Sequence, residues 1–436
     1  MGGGIIQLRS VGKQNKYITG NPDTSYFKAV YHRHTNFAIE SIPCVFENPI
    51  SATSESNNIA VIHRGGDLAH SAHIEFTLKI TTSSLSGGTY VNFTNCTGYA
   101  LIKEISIEFG SQVIDTHISE WFDVWNELKD VNENEYSLVN KQKTKYVYLK
   151  SNNEINGTTL VKCYVPLQFW FCRNPGLAIP LIALQNQKVY VRVKFRNSYS
   201  LINTDHISGT ITPSFEKNPE LYVDYIYLDK KERREFAQKK HQYLIEQVQF
   251  NGIQTLGTSH DLNFDNSIKE LIWMTRNKNA GTEYNVSTLD SSKSSHSYVN
   301  TLSSIEKNND YFNYMSKSNN SCTDYLNASK TYDAFNEAEI LFEGNSRFNK
   351  RKATYFRTIQ PLQYHSRVPL KHIYCYSFSF APEKYQPSGV CNFSRFKNIK
   401  LNFTSPNTVD NTELFIFAIS YNLLRIMDGN AGLSYN

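Results

Sequence analysis

LYVDYIYLDKKERREFAQKKHQYLIEQVQF, residues Leu221 to Phe250, leaves comparable lengths of chain on either side. It opens as a strand, with Leu221, Val223, Tyr225 and Tyr227 on one face at period two. Asp229 is a suitable helix N-cap, and a charged run from Lys230 to Lys240 follows, with Phe236 and Ala237 its only apolar residues. Strand chemistry then resumes at Tyr243-Leu-Ile-Glu-Gln-Val-Gln-Phe250. A short solvated helix between two strands predicts a hinge between two similar units. An ordinary surface helix inside one domain is the plainer alternative.

Composition agrees with two units of one class. A chain of 436 residues is long for a single core, and two domains of ~200 residues are the natural division. Aromatic residues reach 13%, with 28 Tyr and 26 Phe, and such side chains favour pleated, half-buried surfaces. The net charge of +5 is too modest to imply direct nucleic-acid binding. Three acids, Asp229, Glu232 and Glu235, interrupt the basic run and make it a solvated helix rather than a phosphate-binding surface. The seven cysteines are scattered without a C-x-x-C pair, so free thiols are expected. The N-terminus has no apolar export segment, and Ile6 stands where a myristoylation pattern needs Ser or Thr. A soluble protein made on cytosolic ribosomes is the expectation.

Strand patterns recur on both sides of the hinge. Ile74, Phe76, Leu78 and Ile80 alternate with polar neighbours, as do Ile105, Ile107 and Phe109 before a turn at Gly110-Ser111. Val189, Val191, Val193 and Phe195 form a third such run. One helix is indicated, Ser119 to Leu128, with Trp121, Phe122, Trp125 and Leu128 on one side. In the second half Ala338, Ile340 and Phe342 alternate into Gly344, as the earlier strand runs into Gly110. Ile399, Leu401 and Phe403 correspond to the run at Val189. Two all-β units with many short strands predict an all-β protein of two consecutive eight-stranded antiparallel jelly rolls, a double jelly roll, with a few short helices. The expected divisions are an N-terminal arm at 1–25, a first jelly roll at 26–222, a connecting strand end and helix at 223–242, and a second jelly roll at 243–436. From Ala280 to Lys330 the chain is Ser-, Asn- and Thr-rich, and this insert is expected on the surface.

Catalytic, metal and cofactor sites are not predicted. There is no Walker loop, nucleophile elbow, H-E-x-x-H or G-x-G-x-x-G. His32 and His34 with Cys44 could form a metal set, but paired strand histidines are more often structural. A turn at Gly65-Gly66 accounts for His63, Arg64 and Asp67 more simply than acid–base chemistry does. The sequons Asn92, Asn95, Asn156, Asn285, Asn319 and Asn327 lie in loop regions and are candidate exposed glycan sites. Asn392 and Asn402 sit in or beside strand-like runs and are read as structural.

Longer blocks carry a family resemblance. They include Gly4-Ile-Ile-Gln-Leu8, Tyr17-Ile-Thr-Gly-Asn-Pro22 and the run from Phe27 to Ser41. Val165 to Phe171, Asn174 to Gln185, Val223 to Asp229 and Tyr243 to Gln247 follow. Gln386-Pro-Ser-Gly389, Asn392-Phe-Ser-Arg395, Tyr421 to Met427 and Gly432-Leu433 complete the set. In this order, over nearly the whole chain, they resemble the major capsid proteins of nucleocytoplasmic large DNA viruses, chlorovirus- and mimivirus-like members above all. The departures are the loops Ser83 to Thr97, Asn132 to Thr159 and Ala280 to Lys330.

The resemblance implies a non-enzymatic shell protein. It would form homotrimers that act as pseudo-hexagonal capsomers beside neighbouring capsomers in an icosahedral virion capsid, assembled in the host cytoplasm. The N-terminal arm would meet minor capsid proteins at the inner face, touching the internal membrane only indirectly. Outer loops would provide host-cell contact. A minor or variant capsid paralogue, a carbohydrate-binding jelly-roll protein and a glycoside hydrolase are the alternatives, the last lacking any carboxylate pair singled out by spacing.

Overall fold

The computed structural model describes residues 3–86, 91–129, 138–140, 157–204, 208–278, 311–312, 314, 333–406 and 412–435. The first half supplies strands β1 (Phe37–Cys44), β2 (Ser56–Ile62), β3 (Leu68–Ser86), β4 (Ile102–Phe109), β5 (Gln112–Ile118), β6 (Gly157–Pro166), β7 (Val189–Phe195) and β8 (Ser208–Leu228). They form two four-stranded sheets, ordered β1-β8-β3-β6 and β2-β7-β4-β5. The second half supplies β9 (His241–Thr255), β10 (Ser259–Asp261), β11 (Ser267–Asn277), β12 (Glu337–Phe342), β13 (Asn345–Ser346), β14 (Ile373–Ser377), β15 (Ile399–Thr404) and β16 (Thr412–Met427). Their sheet paths are β9-β16-β11-β14 and β10-β15-β12-β13. Each of these eight second-half strands occupies the position of the strand eight places earlier, so both halves are jelly rolls of one topology; the short strands Arg351–Lys352, Cys391–Asn392 and Asn430–Leu433 add to the second-half sheets, and Val91–Phe93 pairs with Ile202–Thr204 apart from the first-half sheets.

Local chemistry explains the pairing. In β3, Ile74, Phe76, Leu78 and Ile80 are buried while His73, Glu75, Thr77 and Lys79 are half-exposed, so the period-two pattern sets which face turns inward. The hairpins β4–β5 and β12–β13 turn through Gly110 at φ +59° and Gly344 at φ +80°. Both glycines occupy left-handed backbone that side chains disfavour, and they stand at equivalent places in the two rolls.

The connector is helix α2 (Lys230–Gln238), as the charged run predicts; helix α1, used below, spans Ser119–Leu128. Asp229 caps α2 by accepting from the Glu232 amide at 2.8 Å. No residue of α2 is fully buried. Asp67 anchors it, accepting from the Leu228 amide at 2.9 Å and pairing with Arg233 at 2.9 Å. This structural task accounts for Asp67 without acid–base chemistry. Residues Ala38 to Asn436 form one compact unit, so α2 joins two rolls that pack together rather than acting as a free hinge.

Residues Met1 to Phe37 form a separate unit, longer than the expected arm. It contains the helix Gly3–Arg9, and its apolar side chains Ile6, Leu8, Tyr17, Ile18, Tyr26 and Phe27 are exposed. His32 and His34 are exposed, whereas Cys44 is buried against the Tyr225 hydroxyl at 3.5 Å. No disulfide joins the described cysteines; Cys322 lies outside the described residues.

Every residue of α1 is buried, including Glu120, Asp123, Asn126 and Glu127 opposite its apolar side. One expectation needs correction. The insert at Ala280 to Lys330 lies mostly outside the described residues, but Tyr311, Phe312 and Tyr314 are buried in the core. Their rings cover the cationic side chains Arg196 and Lys371, which explains why this polar stretch contributes to the interior.

Burial, then the nearby Arg357 charge, pushes the His372 imidazole down to about 3 from an ordinary 6.5. The native state therefore binds fewer protons than the unfolded chain across that window. Stability should fall as pH drops from 6.5 towards 3, with this residue contributing up to about 1.4 kcal/mol per pH unit. Denaturation midpoints at pH 6.5 and 4.5 should differ less in His372→Leu than in the parent protein.

Candidate functional site

The apolar seam between the rolls begins with β11 and β16, which are buried on both faces. Leu271, Trp273, Leu414, Ile416 and Ala418 fill the second roll's own core. The alternate residues Ile272, Met274, Phe415, Phe417 and Ile419 join the cluster that also contains the first roll's core. Runs apolar at every position, LIWM at 271–274 and LFIFAI at 414–419, are the sequence mark of a sheet with two covered faces. Trp121 of α1 meets Phe417 with ring centroids 5.4 Å apart and stacks on Trp125 at 5.5 Å.

Charged groups complete the seam. Asp123 on α1 receives Lys371 Nζ at 2.7 and 2.6 Å. Glu120 receives Arg276 at 2.8 Å, and the same guanidinium reaches Glu413 at 3.0 Å. Burial raises the Glu120 pKa, but Arg276 and Arg196 more than offset it, and the carboxyl titrates below its ordinary value. Glu246 on β9 receives Arg173 at 2.9 Å and also Lys269. The Arg173 guanidinium lies 4.7 Å from the Trp125 ring centroid. Asp115 in the middle of β5 accepts from the Val248 amide of β9 at 3.1 Å. The strand alternation around these residues does not reveal them, because Asp123, Glu120, Arg276 and Asp115 meet partners more than a hundred residues away.

Exposed apolar edges form a second feature. Phe37 and Ile39 are exposed on β1, which lies at the end of its sheet. An apolar edge strand invites pairing unless something covers it. On the second roll, Phe380 and Val390 line a cleft of about 310 Å³ with Tyr364, Tyr376 and Arg347.

The candidate glycan sites separate clearly. Asn92 and Asn95 are half-buried rather than at a loop tip. Asn92 Oδ1 accepts from the Phe93 amide at 2.9 Å. Thr97 of the second sequon is buried and donates to the Thr94 carbonyl at 2.7 Å. Asn156, Asn285, Asn319 and Asn327 lie outside the described residues. Asn392 is exposed, while Asn402 is half-buried within β15.

The seam's charges should be energetically unequal to surface pairs. Asp123→Ala leaves Lys371 buried without its counter-charge and should cost about 3–5 kcal/mol. Breaking the exposed Lys79–Glu216 pair by Lys79→Ala should cost at most about 1 kcal/mol. Asp123→Leu with Lys371→Met should recover much of the first loss, as read from urea denaturation midpoints.

Comparison with known proteins matches this architecture. The family model described as large eukaryotic DNA virus major capsid protein covers residues 232–432, and that of the major capsid protein N-terminus covers 25–229. The two meet at the connector. The major capsid protein of Pyramimonas orientalis virus is 36% identical, with 100% of both chains covered. That of Paramecium bursaria Chlorella virus 1 is 35% identical with the same coverage. In structure, the chain resembles the quasi-atomic model of the PBCV-1 virus capsid, at 30% identity and TM-score 0.71, covering 94% of this chain and 100% of that one. The Faustovirus major capsid protein shares the fold at 13% identity and TM-score 0.69, over 96% and 94% of the two chains. With two jelly rolls of one topology and full-length relatives at this identity, the chain belongs to the major capsid proteins of large eukaryotic DNA viruses.

Proposed function

We propose that this protein is the principal shell subunit of a large DNA virus and works as a homotrimeric capsomer. The observation that carries the reading is the repeated strand order in two rolls packed as one unit. Three copies would then present six similar wedges, and a trimer could fill a lattice position with six neighbours. The exposed apolar side chains of edge strand β1, and Phe380 and Val390 in their largely polar cleft, are surfaces that neighbouring copies would cover. The chemistry asked of the chain is shape and adhesion, not turnover. Assembly would take place in the host cytoplasm.

The N-terminal residues 1–25 would bind minor capsid proteins at the shell's inner face, with the internal membrane reached only through them. Their exposed apolar side chains, Ile6, Leu8 and Tyr17 among them, favour a partner that buries them. Outer loops would carry host contact, and Asn156, Asn285, Asn319 and Asn327 are the acceptors to examine by peptide mass spectrometry for any sugar.

Native mass spectrometry at micromolar concentration should find a trimer whose interfaces bury more than ~2,000 Å² in total; a monomer would contradict the reading. In purified virions this chain should dominate the protein mass, whereas a trace amount would identify a minor or variant paralogue. Deleting residues 1–25 should leave trimer and melting temperature nearly unchanged while impairing shell assembly, and a deletion that no longer folds would refute the separate role.

A further inference from the structure

Glu270 on β11, His365 ahead of β14 and Cys375 on β14 meet inside the second roll's side of the seam. Their carboxylate, imidazole and thiol ligand atoms all lie within 4.8 Å of one another, and all three residues are buried. Strand register brings two of them together. Glu270 pairs with Ser377 and Ile272 with Cys375, so Glu270 and Cys375 point to the same face. Ile272 and Cys375 both belong to the cluster that crosses the seam. The Trp125 ring of α1 stands edge-on to His365 at 6.5 Å.

Two features go beyond an ordinary buried ion pair. His365 places Nδ1 3.1 Å from Glu383 Oε1, while Nε2 faces Glu270 Oε1 at 2.5 Å. A carboxylate behind Nδ1 holds a proton there and turns Nε2 towards the cluster, which is how proteins orient a metal-bound histidine. Glu270 Oε2 is buried and has no hydrogen-bond partner among the described residues. A buried carboxylate oxygen without a partner is destabilising unless something coordinates it. Glu383 also lines a cleft of about 170 Å³ with Trp170, Arg173, Glu246 and Tyr385.

We propose that Glu270, His365 and Cys375 bind one divalent cation of zinc-like preference, with Glu383 as the positioning residue behind His365. Mixed carboxylate, imidazole and thiolate donors select such a borderline-soft ion over calcium or magnesium, and a water would complete the tetrahedron. The exchange balances. Without the cation, His365 is an imidazolium held between two carboxylates and Cys375 is a neutral thiol, giving the four groups a net charge of minus one. The cation replaces the Nε2 proton and the thiol proton, both released to solvent, and the net charge is unchanged. The site would brace β11 and β14 against α1.

The test uses the full-length protein, stripped with a chelator and confirmed folded by circular dichroism. Zinc ion is titrated calorimetrically near neutral pH in two buffers of different ionisation enthalpy. The expected result is one zinc per chain, roughly two protons released, and a higher melting temperature with zinc than without. Cys375→Ser and His365→Gln, each checked for folding, should weaken binding at least tenfold, and Glu383→Gln by about 10–100-fold. Folded parent protein that takes up no zinc at about 100 times a micromolar affinity would overturn the proposal. So would binding that releases no protons or is unaffected by Cys375→Ser, since either places the ion elsewhere. If one variant fails to fold, the proton count on the parent protein still decides.

Discussion

Asp123 and Lys371 meet 2.6 Å apart in the interior, and much of the architecture depends on that pairing. Helix α1 carries Glu120, Asp123 and Glu127 as well as two tryptophans, yet all of it is buried. Each unpaired carboxylate at such a depth would cost several kcal/mol. The helix is therefore tenable only where the second roll brings Lys371 and Arg276 to meet it. The tryptophans have the matching requirement, since Trp121 is covered by Phe417 from β16. One short helix thus makes each roll incomplete without the other.

This dependence distinguishes two joined jelly rolls from two tethered ones. A solvated connector such as α2 would permit the rolls to move independently if nothing else joined them. The hydrophobic cluster containing the first roll's core runs on into Ile272, Phe415, Phe417 and Ile419, and charged pairs close its margins. A block of fixed internal angle is the useful property for a shell, because small errors in subunit shape accumulate over many lattice neighbours. The cluster of Glu270, His365 and Cys375 lies on the same face and would reinforce the same property.

Much of the fold was legible because strand alternation is a local signal. The runs at Ile74, Ile105 and Val189 became β3, β4 and β7, and the runs ending at Gly344 and Phe403 became β12 and β15. Gly110 and Gly344 were readable as equivalents since both must turn the same hairpin through left-handed backbone. Helix α1 was legible in its ends but not in its surroundings. Nothing near Asp123 in the sequence announces Lys371 as its partner. The continuous apolar runs in β11 and β16 were the one local clue that a sheet was covered twice. Tyr311, Phe312 and Tyr314 were hidden by the polar residues around them. The trio at Glu270 was invisible for a related reason, since His365 stands 95 positions along the chain from it and no spacing rule connects them.

Native-state hydrogen exchange tests the central claim most directly, by comparing amides in β7, central to the first roll, with those in β15 of the second. If the seam makes the rolls one cooperative unit, the slowest amides of both strands should open with the same free energy and the same denaturant dependence. Two distinct opening energies in the parent protein, with one roll exchanging fully while the other stays protected, would show that the rolls are independent and the seam is only a contact.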